Sequence, residues 1–331
     1  MKTLARSNTR ITVLEYCERK YYFNYYTFAL KEPQPELRQE TLVLKGLKSI
    51  EMRIGEKSHY LLSDYLHLLK KFQNEWKANP TFRDEQMQEI KDKMKAEMES
   101  EFTFSKERDY QDYEDFFGKF GLSEHFYGED VDDQLQPAIE KVVQNLDRFI
   151  ESNWNDKVQD YFDEARFVYV ERPRVPNFDA MTVEISQLPW LEHISVLASP
   201  DFWVTFSDTE YLILDWKSGK EDFLNEGISD QLKVYALKML LKKGITSLDG
   251  IKIEAYEVYL NSMRAYGGII TQQDIDDIIA KIWKDVDYQK QFLQDQDPVK
   301  NQPLDSLVFR KTSSGKKCES CTFRNVCGKL G

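Results

Sequence analysis

The stretch from His193 to Gly219, HISVLASPDFWVTFSDTEYLILDWKSG, constrains the fold of this chain more than any other. Two apolar runs rich in β-branched and aromatic residues flank Ser207-Asp208-Thr209, a short polar break that reads as a hairpin loop. With Asp208 at the centre of the turn, the register sets Asp201 directly across the ladder from Asp215. Opposed side chains in a ladder have Cβ atoms about 4.5–5.5 Å apart, and like charges there repel. At about 5 Å and an effective dielectric near 20 the repulsion is about 3 kcal/mol. The hairpin therefore requires a cation between the carboxylates, a raised pKa on one of them, or a shifted register, which a bulge at Pro200 would supply. Lys217 lies two residues beyond Asp215 and so on the same strand face. Two acids and a lysine on one patch make either a solvated strand face or a divalent-metal site with a built-in cation for a phosphate or a water.

At 331 residues, with 41% hydrophobic and 13% aromatic content, the chain buries a substantial core as one elaborated domain or two. It has no apolar run of transmembrane length, so no membrane association is expected. The opening MKTLARSNTRITVLEYC lacks an apolar core long enough for a signal peptide, and a cytoplasmic protein is expected. The net charge of −12 argues against non-specific coating of nucleic acid, yet both ends of the chain are basic and the excess acid lies in the middle. Neither GxxxxGK[ST] nor GxGxxG occurs, which leaves no case for a nucleotide-driven motor or a dinucleotide enzyme.

Along the chain, Thr9 to about Tyr26 reads as one helix carrying Cys17 and a dense set of tyrosines, read as core more readily than as a base-stacking surface. A Pro33–Pro35 linker follows. Leu37 to about Trp76 is helical, with a break near Gly46 or Gly55, and contains Gly55-Glu-Lys-Ser-His59. The acidic stretch from Thr81 to Asn153 is helical in pattern and reads as a decoration on the fold, with loops near Gly118–Gly121 and Gly128. Strand-like sequence starts at Phe167–Val175, with Glu171 at its end. The approach to the hairpin runs over Asp179–Ser186. Then come a helix over about Ile228–Lys243 closed by Gly244, a strand over Lys252–Leu260 and a helix from Gln272 to about Gln294. Gln231 and Tyr235, four apart, share a helix face. Strand, hairpin, helix, strand, helix is an α/β core. The divisions expected are a helical part over 1–76, a helical insertion over 77–160, the α/β core over 161–300 and a cysteine-bearing segment over 301–331.

The chain has four cysteines: Cys17, and Cys318, Cys321 and Cys327 in C-x2-C-x5-C spacing. In a cytoplasmic chain this is metal-ligand spacing, short of one ligand that Cys17 alone can supply. Zinc held by four thiolates and a [4Fe–4S] cluster both fit, and a redox thiol pair is the alternative. A single centre would join the first helix to the last segment, offsetting about 5 kcal/mol for closing a loop of about 300 residues.

Taken together these elements resemble the iron–sulfur branch of the PD-(D/E)XK nucleases, RecB-like proteins that include the CRISPR-associated nucleases and the AddB C-terminal nuclease domain. The shared pattern is Cys17 in a tyrosine-rich helix, Gly55 and His59, Asp201, Asp215-Trp216-Lys217-Ser218-Gly219, Gln231 and Tyr235, then Cys318, Cys321 and Cys327, in the family's order. The chain departs from it at Ala198, Ser218 and Glu18, where glycine, threonine and proline are usual, and in the long insertion after His59. The resemblance implies a restriction-endonuclease-like core, a mixed sheet flanked by helices, with a [4Fe–4S] cluster joining the termini through Cys17, Cys318, Cys321 and Cys327. It implies Mg²⁺ or Mn²⁺ on His59, Asp201, Asp215 and the Trp216 carbonyl. Lys217 would orient or help deprotonate the attacking water, and Gln231 and Tyr235 would position the DNA or the lysine. The implied activity is hydrolysis of DNA phosphodiesters, most simply as an exonuclease on single strands or ends, with a protein partner in CRISPR adaptation or recombination. A non-catalytic DNA-binding accessory protein and a zinc-stapled interaction protein are the alternatives, and the intact Asp201/Asp215/Lys217 set favours the enzyme.

Overall fold

A computed structural model describes residues 3–27, 35–110, 120–174, 182–184, 194–221 and 227–329. Phe28, Pro33, Gly118, Val175, His193 and most of Asp179–Ser186 lie outside the described residues. At the centre is a five-stranded sheet built from β4 (Phe167–Val170), β7 (Phe202–Thr205), β8 (Glu210–Lys217), β9 (Lys252–Tyr259) and β10 (Arg264–Ile269), in the order β10-β9-β8-β7-β4. β8 and β9 run parallel and the other neighbours antiparallel. A parallel pair needs a crossover, and the helix Asp230–Lys243 between β8 and β9 provides it.

β8 is buried on both faces, as its near-continuous apolar run requires. Its alternation sends Tyr211 and Ile213 to one core and Leu212, Leu214 and Trp216 to the other. The first core is covered by α1 (Asn8–Tyr16), α2 (Glu18–Tyr26), α3 (Pro35–Gly46), α10 (Asp230–Lys243) and α11 (Gln272–Lys290). The second is covered by α4 (Ile50–Lys71), α6 (Pro80–Glu107), α8 (Leu135–Ile150) and α9 (Asn153–Glu164). The acidic helical stretch is therefore no appendage. Phe149 of α8 packs edge-on against Trp216, ring centres 5.3 Å apart, and its helix shares with α4, α6 and α9 in one layer of the sandwich.

Local signals end the helices where they stop. Ser49 and Ser229 cap α4 and α10 by accepting the Met52 and Leu232 amides. Gly244 closes α10 in the left-handed conformation at φ 68°. Thr271 and Asp274 form a capping box on α11. One break differs from the sequence reading, and another decides between its two alternatives. The helix expected over Thr9–Tyr26 divides at Cys17, which is extended at φ −168° and ψ 115°. The long helix divides at Gly46, not Gly55, because β2 (Leu47–Lys48) pairs in parallel with β3 (Gly121–Leu122).

Candidate active site

The hairpin has the register anticipated from its turn: Phe202 pairs with Leu214 and Thr205 with Tyr211, symmetric about Asp208. Asp201 and Asp215 thus meet at the open end of the ladder, both buried. Pro200 introduces no slip. The Trp216 amide donates to Asp201 Oδ2 at 2.7 Å, and the Asp201 carbonyl accepts the Glu171 amide at 2.8 Å.

The chain meets the repulsion between the two acids with two cations. His59, two turns into α4, brings Nδ1 to 3.5 Å from Asp201 Oδ1. Lys217 places Nζ 2.5 Å from Asp215 Oδ2. Burial pulls the His59 pKa down, but Asp201 above all, with Asp215 and Glu171, carries it up to about 9. Burial would raise Asp201, yet His59 and the Trp216 amide hold its carboxyl below the usual range. Asp215 goes the other way: burial and the Asp201 charge push it up against the pull of Lys217. Burial would lower Lys217, but Asp215 keeps its ammonium above the ordinary lysine value.

α10 completes the set. Lys217 Nζ donates to Gln231 Oε1 at 2.7 Å, and Gln231 Nε2 donates to Asp215 Oδ1 at 3.1 Å and to the Tyr235 hydroxyl at 2.5 Å. The Tyr235 hydroxyl donates to Asp215 Oδ1 at 3.2 Å. Gly55 explains itself as well: a Cβ there would lie 3.0 Å from Ser218 Oγ, so the glycine lets α4 approach the turn after Lys217.

Two acids that the sequence reading left without a role stand beside this group. Glu171 follows β4, accepts the Ser199 hydroxyl at 2.7 Å, and has a pKa pushed up by burial and by Asp201. Glu257 is the ladder neighbour of Asp215 on β9, with Oε1 3.7 Å from Lys217 Nζ. The place of Glu171 at a strand end is readable from the sequence, whereas Glu257 gains its place only from the pairing of β9 with β8.

Asp215 Oδ2 is buried and, its ion contact with Lys217 apart, makes no hydrogen bond. A buried oxygen so left, beside a second buried carboxylate, is the hard donor set that a divalent cation takes. At the other end of the chain Cys17, Cys318, Cys321 and Cys327 are all free thiols and all line one cavity of about 210 Å³. Soft thiols around a space suit iron–sulfur or zinc chemistry. Among the described residues, no three His, Cys, Asp or Glu side chains group tightly enough to hold a single metal ion. The two ends also meet through protein contacts: Glu18 accepts the Arg310 amide at 2.8 Å and its guanidinium at 2.7 Å, and the Arg19 amide donates to the Arg310 carbonyl.

Among the described residues no helix is long and apolar enough to cross a membrane. No match to this chain is found among curated proteins. The family model of the PD-(D/E)XK nuclease superfamily matches residues 5–328. With its α/β sandwich and the Asp201, Asp215-Trp216-Lys217 hairpin inside that span, this chain belongs to the PD-(D/E)XK nuclease superfamily, whose members are typically nucleases.

Proposed function

We propose that this chain is a Mg²⁺- or Mn²⁺-dependent deoxyribonuclease that acts on single strands or DNA ends and is stapled by a [4Fe–4S] cluster. The observation that carries the reading is the meeting of Asp201 and Asp215 with Lys217 locked between Asp215 and Gln231. A strand face without chemistry has no use for a half-buried lysine tied to a helix glutamine. His59, Asp201, Asp215 and the Trp216 carbonyl would hold the divalent ion, with Glu171 near enough to add a carboxylate. Such an ion supplies a water of lowered pKa and neutralises charge growing on the scissile phosphate.

The protein groups around it have separable parts. Lys217, whose ammonium Asp215 holds above the ordinary lysine value, orients the water and the phosphate. Gln231 fixes the reach of that ammonium. Tyr235, held neutral by burial, braces Asp215 through its hydroxyl. The cysteine cavity lies on α1, α2 and the C-terminal segment, away from the hairpin, and its cluster would be a staple and not an electron carrier.

Incubation of the protein with end-labelled linear and circular DNA, single- and double-stranded, with Mn²⁺ tests the reading. Loss of label from linear single strands, with circles spared, is the expected result. A protein that binds DNA yet cuts none of these substrates passes the reading to a non-catalytic accessory protein.

A further inference from the structure

We propose that a second, cationic cleft beside the active centre is the track for the single strand of nucleic acid that enters or leaves it. The proposal rests on the nuclease reading and adds the path and form of the substrate. The cleft, of about 640 Å³, lies between the C-terminal half of α4 and the chain leaving β4. Ser63, Asp64, His67, Lys70 and Lys71 line it from the helix, and Arg172 and Arg174 from the strand end.

It is continuous with the site through Glu171. The Ser63 hydroxyl donates to the Glu171 carbonyl at 2.7 Å, and His67 Nε2 lies 3.2 Å from the same oxygen. Along α4 the residues His59, Ser63 and His67 stand one turn apart, and Lys70 and Lys71 follow in the last turn. From His59 to Lys71 the helix rises about 18 Å, room for roughly five nucleotides at 3.4 Å each.

The charges are placed for a phosphate backbone. Arg174 is neutralised by Asp64 and Glu97, at 3.1 and 2.7 Å. Among the described residues no carboxylate pairs with Lys70, Lys71 or Arg172, in a chain whose net charge is −12. Three like cations in one cleft are a cost to the free protein that a polyanion relieves. Phe167, 53% exposed, lies at the edge with its ring centre 5.9 Å from Lys70 Nζ. Cations tracking a backbone beside an exposed aromatic ring are what binds single strands without regard to sequence. A cleft of this volume is the size that takes a small ligand, and it would hold part of a single strand.

The test is the affinity of a short single-stranded oligonucleotide across a salt series, with Ca²⁺ replacing Mn²⁺ so that cleavage does not intervene. Lys71 and Arg172 are both exposed, so Lys71→Gln with Arg172→Gln should fold as the wild type does, which the melting midpoint checks. Loss of two phosphate contacts should flatten the log–log salt slope by about 1.4. Lys242→Gln with Lys243→Gln removes equal charge from the other side of the sheet and should leave the slope unchanged. Phe167→Ala should weaken binding by about fivefold or more with the slope kept. A wild-type slope in the Lys71/Arg172 variant overturns the track, as does a slope that falls only with Lys316→Gln and Lys317→Gln, which would route the strand over the cysteine face. A wild type that cleaves duplex ends but has no affinity for single strands also overturns the track and leaves the nuclease reading standing. A wild type that neither binds nor cleaves DNA overturns both.

Discussion

The Trp216 amide donates to Asp201 Oδ2 at 2.7 Å, so the carboxylate of one strand is fastened to the facing strand one residue beyond Asp215. This bond aims the other oxygen of Asp201 at His59 and keeps the group ionised in spite of burial. Among the described residues no backbone amide donates to the Asp215 carboxylate, and burial with the Asp201 charge moves its pKa up. Two acids at equivalent ladder positions thereby become unlike, one a fixed charge and one easily protonated.

Metal binding should depend on pH through His59. Raised from 6.5 to about 9, the imidazolium contributes stability that is fully present below pH 6.5 and lost as pH rises through 9. A cation takes only the neutral ring, so binding must release that proton. The metal-free protein should therefore lose stability between about pH 6.5 and 9, while the rise in melting midpoint given by Mn²⁺ grows. His59→Gln should flatten both trends. Thermal melts across that range, with and without Mn²⁺, are the measurement, and a metal shift independent of pH excludes His59 as a ligand.

Lys217→Met should keep the fold and DNA binding but cut cleavage by about a hundredfold or more, the range for removing one positioned donor that stabilises charge in the transition state. The substitution also removes the charge that holds the Asp215 pKa down. Mn²⁺ binding by the variant should consequently need a higher pH than in the wild type. Cleavage at the wild-type rate would remove Lys217 from the machinery.

Anaerobically purified protein should be brown, with about four iron and four sulfide per chain. Cys17→Ser should lose the centre as fully as Cys321→Ser, since both thiols line the same cavity. Neither variant should release the C-terminal segment outright, because Glu18 and Arg310 still pair. The Glu18 carboxyl lies below its ordinary range: burial alone would raise it, and the Arg310 guanidinium and amide overcome that. The help it gives is present above the ordinary carboxylate pKa and fades as pH falls through the lowered one. A colourless protein holding one zinc would replace the cluster with a zinc staple.

How much of this was legible in the sequence follows the range of the forces involved. The hairpin register could be read because a short turn fixes every pair on either side of it, Phe202 with Leu214 included. Gln231 and Tyr235 could be placed together from helix spacing alone. The break at Cys17 could not, because the residues that hold the segment there, Phe309 and Arg310, lie almost 300 positions away. A break was expected at Gly46 or Gly55, and the choice of Gly46 depends on Gly121. The acidic helical stretch looked detachable because Trp216 and Phe202, the sheet residues of the core it joins, lie far along the chain. Glu171 and Glu257 carry no motif and gain meaning only from their strand neighbours.

The approach of Gly55 to Ser218 gives the most specific test of how the site is held. Replacing a helix glycine by alanine normally stabilises by about 1 kcal/mol. Here the new Cβ would sit 3.0 Å from Ser218 Oγ, the movable end of a short side chain on the residue after Lys217. Gly55→Ala should leave the melting midpoint equal or higher, since the serine can turn aside, yet slow cleavage severalfold by displacing Lys217 from Gln231. Adding Ser218→Gly removes the atom in conflict and should return the rate toward wild type while retaining the helix gain. A double-mutant cycle on cleavage rate measures this coupling directly. Additive effects of the two substitutions would show that α4 does not set the position of Lys217 through this contact.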